Sequence, residues 1–369
     1  MSSQSHEHDG VAKIKVVGVG GGGCNAVSRM FRDRVQGVEY VGINTDAQAL
    51  MRCEVPLRIR MGDQLTRGLG VGGDPERGKD SAEESREEIV EAIKGSDMVF
   101  IAAGMGGGTG TGAAPVVAEI AKEANALTVG VVTKPFGFEG TRRRKLAEEG
   151  IARLKEKVDT LIIIPNDRLS QVSDENLTVE QAFKLADDVL RQGVQSIAEL
   201  VTVPGDINLD FADIQTVMSN AGPAWMAIGT GTGENKAVDA ARAAIKSSLL
   251  DVSIDGAKGV VLNVTGGTDL TLKEVNEAAD IIIAAAHPDA QVFFGSATDL
   301  KMEDEVKITI IATGFSSEEP FTPNSEKVVG QITFPEIDEL MGSIRKEAEL
   351  DVPPFLRRAS NGNGRTGTY

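Results

Sequence analysis

Histidine, cysteine, aromatic residues and excess positive charge are all scarce in this chain, and each scarcity narrows what it can do. Only His6, His8 and His287 occur in 369 residues. Two of them sit in a polar N-terminal stretch and the third precedes a proline. That argues against a Ser-His-Asp triad and against a histidine-rich metal centre. Cys24 and Cys53 are too few for a disulfide framework or a zinc site. Aromatic residues make up 4% of the chain and hydrophobic residues 41%, so the core is expected to be aliphatic. A formal net charge of -17 argues against general nucleic-acid binding, which needs a basic face. No apolar stretch approaches the roughly 20 residues that span a bilayer. The start, Met1 to Gly10, has no apolar signal region. The expectation is a cytoplasmic protein with no direct membrane insertion and no metal held by side chains alone.

Glycine, by contrast, is abundant, at 42 residues, and it clusters. One cluster is Gly18-Val19-Gly20-Gly21-Gly22-Gly23-Cys24-Asn25 and the other is Gly104-Met105-Gly106 through Gly112. Each follows an apolar strand-like run and precedes a helical pattern. A strand that ends in glycines before a helix offers unpaired main-chain N–H groups at the positive end of a helix dipole. Missing Cβ atoms let phosphate oxygens approach. Thr109 and Thr111 can add hydroxyl donors. The first cluster fits the common Gly-x-Gly-x-x-Gly pattern and is weakly specific. The second, with five glycines and two threonines in seven residues, is far more so. There is no Gly-x-x-x-x-Gly-Lys-[Ser/Thr] sequence and no lysine in either cluster. Phosphate charge must therefore be met by backbone dipoles, a cation, or Arg143 from a nearby helix.

The first half alternates strand and helix signals, which predicts a parallel sheet covered on both faces. Strands are expected at Ile14 to Val19, Val38 to Ile43, Met98 to Ala103, Leu127 to Thr133 and Thr160 to Ile164. Helices are expected at Asn25 to Arg34, Pro75 to Lys94, Ala113 to Ala124 and Arg142 to Lys157. From Val179 to Val201 apolar residues recur every three or four positions, giving one helix of about six turns. After Pro204-Gly205 a second, smaller α/β pattern runs to Phe315. The predicted division is a polar start at 1–10, a nucleotide-binding domain at 11–177, a central helix at 178–203, a second domain at 204–316, a linker at 317–348 and a tail at 349–369. Asp210 and Asp213 lie three apart at a helix start, on one face. Taken alone, they read equally as N-terminal caps.

Several motifs, in order, resemble the tubulin/FtsZ GTPase family. They are Gly18 to Val27, Asn44 to Leu50, the loop Gly106 to Gly112, Pro135 to Gly140, Ile164 to Asp167 and Asn208 to Asp213. The resemblance covers roughly Val11 to Phe315 and resumes at the C-terminus. It implies a tubulin-like α/β fold: a parallel-sheet, Rossmann-like GTPase domain, a long central helix and a smaller α/β domain. It implies that Gly21, Gly22, Gly23, Cys24 and Asn25 line a GTP/GDP pocket and that Gly108, Thr109 and Gly110 hold the phosphates. Glu139 and Arg143 would approach ribose and phosphates, and Asn166 and Asp187 would face guanine. A carboxylate can accept from both N1–H and the exocyclic amine of guanine. By the same resemblance Asn208, Asp210 and Asp213 enter the nucleotide site of the next subunit, where they act on water with Mg²⁺ bound to the nucleotide. The chain would then form head-to-tail homopolymers that build the division ring at mid-cell, on the inner face of the membrane. Leu350-Asp351-Val352-Pro353-Pro354-Phe355-Leu356-Arg357-Arg358 resembles the family's C-terminal peptide, which implies docking to membrane-anchoring and regulatory division proteins.

Three positions depart from the family pattern: Cys24, Val71 and Asp74. Asp74 would bring negative charge near phosphate unless it caps the following helix. A Rossmann dehydrogenase is the rival reading. It needs an acidic residue on the ribose, which Asp46 could mimic, and a proton donor, which the scarcity of histidine disfavours.

Overall fold

The computed structural model describes residues 12–169, 178–202, 209–247, 254–299, 302 and 304–315, all within one compact unit. Asn208, the linker and the peptide Leu350 to Arg358 lie outside the described residues. The first half runs β1 (Ile14–Val19), α1 (Gly20–Arg32), β2 (Val38–Asn44), α2 (Ala47–Met51), β3 (Leu57–Arg60), α3 (Asp63–Thr66), α4 (Pro75–Glu84), α5 (Arg86–Ile93), β4 (Met98–Gly104), α6 (Thr109–Glu123), β5 (Leu127–Lys134), α7 (Thr141–Lys155), β6 (Thr160–Pro165) and α8 (Asn166–Leu169). Then come α9 (Val179–Thr202), α10 (Phe211–Met218), β7 (Gly222–Thr232), α11 (Lys236–Ile245), β8 (Gly259–Gly266), α12 (Leu272–Ala285), β9 (Gln291–Thr298) and β10 (Glu305–Thr313).

The strands form one ten-stranded sheet in the order β3-β2-β1-β4-β5-β6-β7-β10-β8-β9. From β3 through β7 every pairing is parallel. This part of the sheet therefore has a carboxyl edge, where its strands end, and an amino edge, where they begin. β10 runs antiparallel between β7 and β8. β1, β4, β5 and β6 read as near-continuous apolar runs because both faces are covered. Along β1, Ile14 and Val16 enter one core with α1, α9 and α10, while Val17 and Val19 enter the opposite core with α4 to α7. That alternation is the two-residue period of a strand. A third core, under α11 and α12, belongs to the second half.

The expected helix over Pro75 to Lys94 is in fact two helices. Ser85 (φ −102, ψ 19) leaves helical geometry between them, and its hydroxyl accepts from the Gly62 N–H at 3.2 Å. Two other helices begin earlier than their apolar periodicity suggests, inside the glycine clusters, at Gly20 and Thr109.

The central helix α9 links the two edges of the parallel sheet. Near its start, the Lys184 carbonyl accepts from Arg29 at 2.5 Å and Phe183 packs edge-on against Phe136, just beyond the end of β5. At its end, the Thr202 hydroxyl donates to the Gln36 carbonyl, just before β2 begins. The helix therefore runs from the carboxyl edge to the amino edge. Its 24 residues span about 36 Å at 1.5 Å per residue.

Candidate functional site: a phosphate cradle at the carboxyl edge

β1 and β4 are neighbours, with Val19 opposite Ala103. From β1 the chain passes through α1 on one face to β2, and from β4 it passes through α6 on the other face to β5. The two connections diverge, so a crevice opens between them at the carboxyl edge. This is where open parallel sheets bind ligands. Both diverging helices start inside a glycine cluster, and their opening turns present main-chain N–H groups with no helical acceptor.

Close approach explains some of these glycines and open space explains others. A Cβ on Gly20 (φ +74) would stand 2.8 Å from the Gly110 nitrogen, so the two helix starts touch. A Cβ on Gly108 would strike Val71 at 2.4 Å, and one on Gly112 would strike the Pro75 carbonyl at 1.9 Å. These residues let α4, α6 and the Val71–Asp74 loop pack. Gly21 and Gly107 meet nothing within 4 Å, so their missing side chains leave room on the open side of the crevice.

The threonines also divide. The Thr111 hydroxyl is fully buried and accepts from the Gly106 N–H at 2.8 Å. It shapes the loop from inside, contrary to the expectation that it faces a phosphate. The Thr109 hydroxyl lies 2.7 Å from that of Thr45, tying the end of β2 to the start of α6. Nearby, the Glu139 carboxylate caps its own turn by accepting from the Phe136 N–H at 2.9 Å and pairs with Arg143 at 2.5 Å. Arg143 itself is largely exposed. Its main chain closes over the glycine loop, because a Cβ on Gly106 would lie 2.7 Å from the Arg143 carbonyl.

Asn25 is exposed on α1, and Gly23 is buried. Cys24 is 2% exposed, and its thiol turns into the core toward the Gly18 and Ile43 carbonyls and Cys53. Any contribution to a pocket comes from its main chain. Asp74, the suspect charge, accepts from the Glu76 N–H at 3.0 Å and caps α4. Asp46 likewise caps α2, which removes its role as a dehydrogenase ribose ligand.

Two buried side-chain atoms here make no well-formed hydrogen bond among the described residues: Asn44 Nδ2, which has only the Cys24 thiol beside it, and Asn166 Oδ1, at the carboxyl ends of β2 and β6. Unpaired buried polar atoms are costly, and a polar guest in the crevice would satisfy them. Asp187, on α9, is half-buried. Burial raises its carboxyl to about 6, and the neighbouring Asp188 adds to the rise while Arg29 opposes it. Four residues earlier on the same face stands Phe183, in a cluster with Phe136 and Phe138. The sequence gives neither Phe183 nor Asn44 a site role, although Asn44 opens one of the family-like motifs. The four-residue spacing from Phe183 to Asp187 was the available signal for the first.

Asp210 and Asp213 are elsewhere. The Asp213 carboxylate accepts from the Asp210 N–H at 3.2 Å at the start of α10. The other end of α10 is fastened to the amino edge, where the Met218 carbonyl accepts from Thr160, the first residue of β6. Among the described residues neither aspartate bonds to the glycine clusters.

Residues 13–174 match the model of the Tubulin/FtsZ family GTPase domain, and residues 222–316 match that of the FtsZ family C-terminal domain. FtsZ from M. jannaschii, solved as an empty dimer, is 48% identical over 84% of this chain and 90% of that one, with a TM-score of 0.81. The chain belongs to the tubulin/FtsZ family. It is accordingly a GTPase with the family's fold: a mostly parallel sheet flanked by helices, with a smaller second domain. CetZ2 from Haloferax volcanii, solved as a GTPγS-bound protofilament, is 19% identical over 92% of this chain and 99% of that one, with a TM-score of 0.71. At that identity the likeness concerns the fold alone. No helix among the described residues is long and apolar enough to cross a membrane.

Proposed function

We propose that the chain assembles head to tail and hydrolyses GTP at the contact between subunits. One observation carries this reading. The glycine clusters open at the carboxyl edge, whereas the chain enters and leaves the segment bearing Asp210 and Asp213 at the amino edge. A second copy stacked in the same orientation would bring its amino edge to the first copy's crevice.

In this reading the amides of Gly21, Gly22 and Gly23 and of Gly108, Thr109 and Gly110 receive the phosphates. Arg143 supplies the nearby positive charge, held in place by Glu139. Asn166 and the ionised Asp187 recognise guanine, and Phe183 offers a flat apolar surface beside them. The two orphaned asparagine atoms and the open space over Gly21 and Gly107 fit such a guest. Mg²⁺, arriving with the nucleotide, would neutralise phosphate charge. Asp210 and Asp213 of the neighbour, with Asn208, would orient a water and accept its proton. Such a polymer suits a division ring at the inner face of the membrane, with Leu350 to Arg358 recruiting tethers and regulators.

GTPase activity per subunit, measured against protein concentration with light scattering alongside, tests the reading. Activity should rise from a threshold that coincides with polymer. A specific activity independent of concentration would overturn it.

A further inference from the structure

The loop that follows α10 is held by a residue far from both glycine clusters. Asp159 immediately precedes β6 at the amino edge and is 8% exposed. One carboxylate oxygen accepts from the Thr128 N–H at 2.9 Å, which ties it to β5. The other accepts from the Asn220 N–H at 3.4 Å and faces Lys122 at 3.3 Å. Its carbonyl accepts from the Gly222 N–H at 2.9 Å. Beside it, the buried Thr160 hydroxyl donates to the Met218 carbonyl at 2.5 Å. The turn so gripped is unusual in conformation. Asn220 has φ +50 and Gly222 has φ +71, left-handed backbone that asparagine and glycine adopt more readily than other residues.

This turn closes α10. A pivot at Met218 and Asn220 sits about 12 Å, eight residues of helix, from Asp210. A small rotation there becomes a displacement of both aspartates. Catalysis falls steeply with misplacement of this kind.

We propose that Asp159 is a positioning residue for GTP hydrolysis, fixing the angle at which α10 presents Asp210 and Asp213 to the neighbouring subunit's nucleotide. The proposal rests on the split-site reading of the function. Asp159 itself touches neither nucleotide nor water, and the glycine clusters on the opposite edge are independent of it.

The test measures three quantities on the full chain carrying Asp159→Ala: GTP affinity of the monomer, polymer mass by sedimentation, and hydrolysis rate per polymerised subunit. The monomer should bind GTP as the wild type does, and polymer should form. The rate per polymerised subunit should fall on the order of tenfold. Thr160→Val, which removes only the second clamp, should lower the same rate by less. A merely structural role would lower melting temperature and polymer mass while leaving the rate per polymerised subunit unchanged, and that result overturns the proposal. Should Asp159→Ala fail to fold, Asp159→Asn decides, since it keeps the shape and one acceptor oxygen. Its rate should fall between wild type and Asp213→Ala, and an unchanged rate again overturns the proposal. Asp213→Ala run in parallel separates the two ideas. If it hydrolyses normally, the split-site reading has failed. If it is slow while the Asp159 variants are normal, only the positioning role has failed.

Discussion

The main chains of Gly20 and Gly110 lie so close that a Cβ on the first would stand 2.8 Å from the nitrogen of the second. Two helix starts are thereby pressed together at the head of the crevice, and their dipoles point at one volume. Gly20→Ala adds a clash to a positive φ, at a cost of about 1–3 kcal/mol. The melting temperature should drop. Gly107→Ala meets only open space, so the fold should be untouched. Its GTP affinity should fall on the order of tenfold, the loss of roughly one bond to a charged phosphate. Thermal melts and nucleotide titration of both variants check the division between packing glycines and cradle glycines.

Asp187 sets a pH dependence. Its carboxyl, ordinarily near 3.8, is raised to about 6 by burial. Between about pH 3.8 and 6 the nucleotide-free fold keeps a proton there that the unfolded chain has largely lost. Its contribution to stability therefore declines as pH rises from 3.8 to about 6. Guanine recognition runs the other way, because only the ionised form accepts from both guanine donors. GTP affinity should weaken by about tenfold per pH unit well below that midpoint. Asp187→Asn should bind GTP weakly and lose this pH dependence. An unaltered profile in the variant would assign the titration to another group.

Asp213 has two duties that can be separated. It caps the main chain of Asp210, and in the proposed reaction it acts on water. Asp213→Asn retains an acceptor for the cap and removes the charge. It should melt as the wild type does and bind GTP, yet hydrolyse it on the order of 100-fold more slowly. Asp213→Ala should show the same kinetic loss and a further cost of about 1 kcal/mol from the cap. Equal hydrolysis by Asn and wild type would reduce Asp213 to a cap.

Asp74 should prove electrostatically quiet. Asp74→Asn preserves the cap on α4 and should leave GTP affinity unchanged. Asp74→Ala should destabilise the protein by about 1 kcal/mol. A gain in affinity with Asn would mean that the carboxylate repels phosphate after all.

The parallel sheet was legible as short apolar runs, and most helices as apolar repeats of three to four residues. The missed features each have a specific physical cause. Helix starts at Gly20 and Thr109 were hidden because glycine is a poor helix former, and there it serves contact and access instead. The break at Ser85 depends on the Gly62 amide, which is remote in sequence. β3 is four residues long with only Ile59 buried. At the site, Gly106 to Gly112 announced a phosphate cradle from its composition, but not that Thr111 turns inward. Nor could spacing reveal that the Cys24 thiol is buried. Asp159 carries no motif at all, since its role depends on three segments meeting at one edge.

The opposed placement of cradle and aspartates has an arithmetic consequence. In the proposed head-to-tail polymer, a filament of n subunits has n − 1 complete sites. One tip always carries a nucleotide that no neighbour can attack, and the other carries aspartates with nothing to act on. The tips are chemically unlike, so gain and loss of subunits need not balance at the same end. Average filament length then sets how much of the bound GTP survives, without any change in the chemistry of a single contact.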